Sequence, residues 1–73
     1  MTGADARRIR REVLKMSVSR LATALHMHGT HAGDRIHRWE TGRDNVPGWV
    51  EVIFGFVENC AECRQRFWES ASG

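Results

Sequence analysis

One short stretch of the chain, GDRIHRWETGRDNVPG from Gly33 to Gly48, sets three arginines around an isolated Ile36 and an isolated Trp39. Arginine donates two parallel hydrogen bonds to guanine O6 and N7, and it also pairs well with phosphate. On a helix of 3.6 residues per turn, Arg35 and Arg38 share one side. Ile36 and Trp39 lie on the opposite side. The pattern predicts a short helix that is held from behind by apolar side chains and offers a basic surface to a polyanion.

The residues that we expect to contact DNA lie in and around this helix. They are Thr30, His31, Asp34, Arg35, His37, Arg38 and Arg43. We assign base reading to Arg35 and contacts with the DNA backbone to Arg38 or Arg43. The alternative for any one of these arginines is an ordinary solvated charge. For the cluster as a whole we favour DNA, because it faces away from Ile36 and Trp39.

Histidines and cysteines raise a second chemistry, metal binding. The four histidines are His26, His28, His31 and His37, and the two cysteines form the pair Cys60-x-x-Cys63. Zinc takes four ligands, and a single C-x-x-C with no further ligand nearby in sequence is a weak signal for it. We therefore expect no metal and no other cofactor, and interpret the cysteines as small buried apolar residues.

An enzyme is the function class with the least support. No nucleophile is paired with a base at a usable spacing, no glycine-rich phosphate loop is present, and 73 residues leave little room for an enclosed pocket. For the same reason we expect no small-molecule effector. The prediction is therefore a binding protein.

The length and charge of the chain fit one small domain, 1–73, with two unlike halves. Residues 1–45 have a charge balance of +4, and residues 46–73 have a balance of −2. The basic half suits a polyanion, and the second half carries most of the large apolar residues. No stretch is apolar enough for a membrane span, and the arginine-rich N-terminus does not resemble a signal peptide. A cytoplasmic protein that does not contact membranes is therefore expected.

Hydrophobic periodicity predicts an all-α domain of five helices. They are a helix from about Asp5 to Lys15, a second capped by Ser17, a third that starts near Thr30 or Gly33 and ends before Gly42, a fourth with Pro47 in its first turn, and a last from about Ala61 to Ser70. The second and third, short and joined by a glycine-containing turn, form a helix-turn-helix candidate over about 17–41.

The segments RREVLKMSVSRLATALHM and IHRWETG resemble the Cro/C1-repressor (XRE-like) family of DNA-binding domains. The matching residues are Ser17, Leu21, Ala22, Leu25, Ile36, Trp39, Glu40 and Gly42. The chain is similar, less closely, to compact phage-type autorepressors such as the anti-CRISPR-associated ones. It departs from the family pattern at His26, where glycine is usual. About four additional residues also precede Ile36, which predicts either an extended third helix or a bulged turn.

The resemblance implies a λ-repressor-like fold and a sequence-specific protein that binds a DNA operator. The small size of the domain favours repression by occupation of a promoter, and autoregulation is the leading hypothesis. The resemblance also implies that Glu40 pairs with an arginine of the first helix, and Arg11 occupies the matching position. Ile36 and Trp39 would then hold the recognition helix from behind. The other basic residues of the first helix are interpreted as solvated charges that could touch phosphate: Arg7, Arg8, Arg10 and Lys15.

The fourth helix has apolar residues on two sides, whereas a surface helix needs one stripe for its own core. One side carries Val50, Ile53, Phe54 and Val57, and the other carries Trp49, Val52 and Phe56. Together with Phe67 and Trp68, the second side predicts a homodimer interface within about 47–70. The alternative is that the last helix wraps across the fourth and uses both sides. A different function remains open too, a helical adaptor that docks a protein partner through this aromatic face.

Overall fold

The computed structural model describes residues 1–72, with side chains for residues 1–71, and these form five α-helices and no strand. We number the helices α1 to α5 in chain order. They are α1, Gly3–Arg8; α2, Val18–Ala24; α3, Ala32–Glu40; α4, Gly48–Asn59; and α5, Ala61–Ser72. A π-helical turn, Ile9–Val13, follows α1 directly. The predicted all-α class with five helices is confirmed.

The first helix starts earlier and ends earlier than the predicted Asp5 to Lys15. Thr2 caps it, because its hydroxyl accepts from the Asp5 N–H at 3.1 Å and its own N–H donates to the Asp5 carboxylate at 3.3 Å. The hydrogen bond from the Thr2 hydroxyl lowers the pKa of Asp5. At the other end the helix widens into the π turn, where the Leu14 N–H donates to the Ile9 carbonyl. Lys15 then takes a positive φ of 53°, which ends the helix.

The second helix begins where predicted, because the Ser17 hydroxyl accepts from the Arg20 N–H at 3.2 Å. It ends in a Schellman motif, in which the His26 N–H donates to the Thr23 carbonyl and the Met27 N–H donates to that of Ala22. His26 sits at the left-handed position of this motif, with φ 57°. That is a conformation glycine adopts without cost and histidine does not.

The segment before Ile36 is divided between a turn and the first residues of α3. Seven residues, 25–31, separate α2 from α3, and Gly29 takes φ 102° within them. Helix α3 starts at Ala32, between the two predicted positions, and Gly42 follows its end with φ 83°, as a glycine after a helix C-cap should. Pro47 lies at the N-cap of α4, one residue before the predicted first turn.

The core lies between all five helices and is formed by apolar side chains. The largest fully buried ones are Ile9, Leu14, Leu21, Ile36, Val50 and Phe54. Helix α5 packs against α2 and α4, and α1 packs against α3. Ion pairs attach the N-terminal segment to α4, between the Met1 amino group and Glu51 at 2.9 Å and between Arg8 and Glu58 at 2.6 Å. Within the described residues, no helix is long and apolar enough to cross a membrane.

Candidate nucleic-acid interface

Helix α3 is fixed to the domain by one side. Its buried residues are Ala32, Ile36 and Trp39, spaced four and three apart, and they face the core. Helix α1 lies very close to the C-terminal end of α3. A Cβ on Gly3 would overlap the Trp39 carbonyl oxygen and would lie 3.0 Å from the Glu40 carbonyl oxygen. The predicted support of the helix by Ile36 and Trp39 is therefore present.

The opposite side of α3 is polar and exposed. His31, Asp34, Arg35, His37, Arg38, Thr41 and Arg43 line one open concavity of about 630 Å³. Six of the seven residues that we expected to contact DNA are in this set. The seventh, Thr30, lies in an adjoining groove between α2 and α3 that shares Asp34 and His37 with the concavity. The predicted residues therefore form one continuous surface.

Weak ion pairs leave two of the three arginines of this surface unpaired. His31 Nδ1 lies 3.6 Å from the Asp34 carboxylate, and Arg38 Nη1 lies 4.0 Å from that of Asp44, with all four side chains well exposed. Among residues 1–71, neither Arg35 nor Arg43 forms an ion pair or a side-chain hydrogen bond. Their guanidinium donors are available to an incoming anion.

The expected structural pair Arg11–Glu40 is wrong. Arg10 makes it instead, through Nε at 2.7 Å and Nη2 at 3.0 Å from the two carboxylate oxygens of Glu40. Arg10 Nη1 also donates to the Met16 carbonyl at 3.1 Å. The Arg10 and Glu40 side chains are only 11% and 3% exposed, so Arg10 is not a solvated charge. Arg11 is exposed, whereas Arg10 lies next to the buried Ile9 and four residues after the buried Ala6, on the side that faces the core.

Sequence reasoning also missed two hydroxyl side chains beside the candidate interface. Ser19 and Thr23 of α2 line the same groove as Thr30. Both are exposed and lie four residues apart on one side of α2. The Ser19 hydroxyl is placed to contact a phosphate oxygen, whereas Thr23 Oγ1 donates to the Ser19 carbonyl at 3.2 Å. Their place beside α3 depends on the packing of α2 against α3, which sequence spacing does not specify.

Neither the histidines nor the cysteines form a metal centre in the described part of the chain, where no three His, Cys, Asp or Glu residues cluster closely enough. His26 and His28 are exposed in the turn between α2 and α3. The expectation that the cysteines are buried is wrong, because Cys60 and Cys63 are both partly exposed. They lie at the junction of α4 and α5, where the core ends.

The residues expected to form the dimer face fall into an exposed group on α4 and a half-buried group on α5. Trp49, Val52 and Phe56 of α4 are 46%, 60% and 61% exposed. By contrast, Phe67 and Trp68 are half-buried and pack against the core, which corrects the expectation that both lie on the open patch. Phe67 lines an apolar groove with Phe56, and the Trp68 ring lies 4.6 Å below the Arg20 guanidinium of α2. The last helix thus covers part of α4, as the alternative predicted.

Trp49 connects this face to the candidate interface. Its ring meets that of Trp39 edge to face, with centroids 6.3 Å apart and planes at 87°. Trp39 is buried behind α3, whereas Trp49 opens to solvent on α4. One aromatic contact therefore lies between the inner side of α3 and the apolar face of α4.

No family model matches the chain, and comparison with curated proteins and with solved structures finds no match either.

Proposed function

We propose that this protein is a sequence-specific DNA-binding protein whose α2 and α3 form a helix-turn-helix of the λ-repressor-like kind. The observation that carries the proposal is the two-sided build of α3. Its inner side is buried through Ile36 and Trp39, and its outer side presents Arg35 and Arg38 in an open concavity. A recognition helix in the major groove needs this combination of rigid support and exposed donors.

The individual roles follow from the pairing of the arginines. Arg35 has no partner and lies in the middle of α3, so it is the base-reading residue of the proposal, aimed at guanine. Arg43, in the segment after α3, and Arg38, beside Asp44, contact phosphates. Thr30 and Ser19 border the same surface and add hydroxyl contacts to the DNA backbone. Asp34 and His37 lie where they restrict which bases fit.

The proposal includes a homodimer that acts as a repressor. Trp49, Val52 and Phe56 leave an apolar strip of α4 in water, which isolated domains rarely maintain. A two-fold interface there would hold two α3 helices about 34 Å apart over a palindromic operator. Occupation of a promoter, first of all that of its own gene, is the simplest mechanism for a domain of this size.

The test is binding to a duplex library with a randomised centre, followed by affinity measurements on a selected and a scrambled duplex. Specific binding should weaken steeply with added salt, because arginine–phosphate contacts release counterions. Arg35→Ala should lose about 1–3 kcal/mol on the selected duplex only. Arg43→Ala should weaken binding to both duplexes alike. Arg66→Ala removes the same charge from α5 and should leave both affinities unchanged; because Arg66 lines the groove beside Phe56, sedimentation must show that this variant keeps the oligomeric state of the wild type.

Equal affinities of wild type and Arg35→Ala for both duplexes would reject the role of Arg35. Binding of no duplex at low salt would reject the proposal itself. A DNase footprint on the DNA that flanks the gene then separates autoregulation from regulation of other genes.

The second candidate is an adaptor that binds a protein partner through its aromatic side. The observation that favours it is the apolar groove lined by Ile53, Phe56 and Phe67, next to the exposed Val52. Docking there depends little on salt, since apolar burial and not ion release drives it. Salt dependence therefore distinguishes the two functions.

A further inference from the structure

The two cysteines occupy a special position at the start of α5. Cys60 links α4 to α5 in an extended conformation, with φ −136° and ψ 110°. Its Sγ accepts a hydrogen bond from the Cys63 N–H at 3.2 Å. This is the bond that a serine or aspartate makes at a helix N-cap, here made by sulfur. Cys60 therefore acts as the cap of a 12-residue helix.

The contact between Cys60 and Cys63 affects the pKa values of the two thiols in opposite directions. A hydrogen bond from the Cys63 side chain lowers the pKa of the Cys60 thiol, and the hydrogen bond from the Cys63 N–H lowers it further. The same side-chain bond raises the pKa of Cys63, which donates it and loses it on deprotonation. The thiolate is the form of cysteine that attacks sulfur. Cys60 is thus arranged as the nucleophile and Cys63 as the second thiol.

The surroundings keep the thiols together and accessible. Arg64 Nε donates to the Val57 carbonyl at 3.0 Å and Nη2 to that of Glu58 at 3.2 Å, which fixes the junction of α4 and α5. Both cysteine side chains are partly exposed. Cys63 opens into the apolar groove beside Phe56 and Phe67. A small reagent can therefore reach the pair without unfolding of the helix.

We propose that Cys60 and Cys63 form a thiol–disulfide exchange site that reacts with small-molecule disulfides. The Cys60 thiolate attacks one sulfur of the external disulfide, so that a mixed disulfide forms and one external thiolate leaves. Cys63 then gives up its proton, and its sulfur attacks Cys60 Sγ. An internal Cys60–Cys63 disulfide forms and the second external thiolate leaves. The protein loses two electrons and two protons, and the external disulfide becomes two thiols.

The test is the reaction of the reduced full-length protein with oxidised glutathione, followed by intact mass. Wild type should lose two hydrogens, retain no glutathione and return to the dithiol with dithiothreitol. Cys63→Ser should stop at the mixed disulfide, because the second attack is missing. Cys60→Ser should form its adduct severalfold more slowly at neutral pH, because its remaining thiol has the raised pKa.

Alkylation of the wild type with limiting iodoacetamide compares the reactivity of the Cys60 and Cys63 thiols without any substitution. Peptide mapping should find Cys60 alkylated severalfold faster than Cys63. Glutathione retained on both cysteines of the wild type, or a disulfide between two chains, would overturn the proposal. So would equal alkylation of the two cysteines. A Cys60→Ser variant that fails to fold leaves the wild-type alkylation to decide.

Discussion

Arg10 and Glu40 form the most enclosed polar contact between the first helix and α3. Both side chains are nearly buried, and three hydrogen bonds satisfy the Arg10 guanidinium. Loss of one partner leaves a buried charge, which typically costs about 3–5 kcal/mol. We expect Arg10→Ala to lower the free energy of unfolding by that amount, measured by urea denaturation at one fixed protein concentration.

Arg11→Ala is the matched control, since it removes the neighbouring arginine from an exposed position. It should change the free energy of unfolding by less than about 0.5 kcal/mol. If Arg11→Ala destabilised the domain and Arg10→Ala did not, Arg11 and not Arg10 would be the partner of Glu40.

His26 adopts a conformation that favours glycine. Its φ of 57° costs a residue with a Cβ about 1–2 kcal/mol. The side chain is exposed, so its removal creates no cavity. We expect His26→Gly to raise the melting temperature by about 4–8 °C for each kcal/mol gained, measured by circular dichroism. His28→Gly, a matched loss of an exposed histidine at negative φ, should not raise it.

At the scale of elements, one glycine tests the contact between α1 and α3, and another tests the backbone freedom inside α4. A methyl group on Gly3 would overlap the Trp39 carbonyl, and a backbone atom cannot rotate away, so α1 and α3 must separate. We expect Gly3→Ala to destabilise the domain by about 1–3 kcal/mol.

Gly55 lies inside α4, and no described atom outside its own helix stands within 4 Å of the added methyl. Gly55→Ala should therefore stabilise the fold by about 0.5–1 kcal/mol.

Both effects can be measured by thermal denaturation of the single and double variants. Their changes should add, because the two sites belong to different contacts. A neutral Gly3→Ala would mean that α1 packs on α3 less closely than described.

The helices were predictable where local chemistry determines them. Ser17 and Gly42 mark helix ends by hydrogen bonding and by positive φ, and both signals depend on the single residue. The π turn was not predictable, because apolar residues at Ile9 and Val13 fit an α-helix equally well. The error at Arg11 has a different origin: Arg10, not Arg11, lies at helical spacing from the buried Ala6 and Ile9, and only the family resemblance favoured Arg11.

The candidate site was likewise predictable where local periodicity determines it and unpredictable where tertiary packing does. The residues on the outer side of α3 follow from a 3.6-residue period, and all the residues that line the concavity except Thr41 were expected. Ser19 and Thr23 join the surface only through the packing of α2 on α3, which sequence spacing does not specify. The exposure of Cys60 and Cys63 depends on where α5 meets α4, again a tertiary property.

At the scale of the whole molecule, the proposed homodimer depends on the apolar strip of α4, formed by Trp49, Val52 and Phe56. Phe56 is 61% exposed, so a charge there should disrupt a dimer without disrupting the core. We expect wild type to sediment as a dimer at micromolar concentration and Phe56→Glu as a folded monomer. Gln65→Glu adds the same charge on the exposed side of α5 and should remain dimeric. A wild type that sediments as a monomer would remove the dimer from the proposed function.

The contact between Trp39 and Trp49 gives the unlabelled protein an optical signal. Two indoles with centroids 6.3 Å apart couple their excited states, and the coupling depends on their distance and orientation. One ring lies behind α3 and the other borders the apolar strip of α4, so an event at either surface alters the same pair. Replacement of Trp68 by phenylalanine would leave this pair as the only indoles in the chain. Near-ultraviolet circular dichroism and emission would then follow binding at both surfaces without a dye.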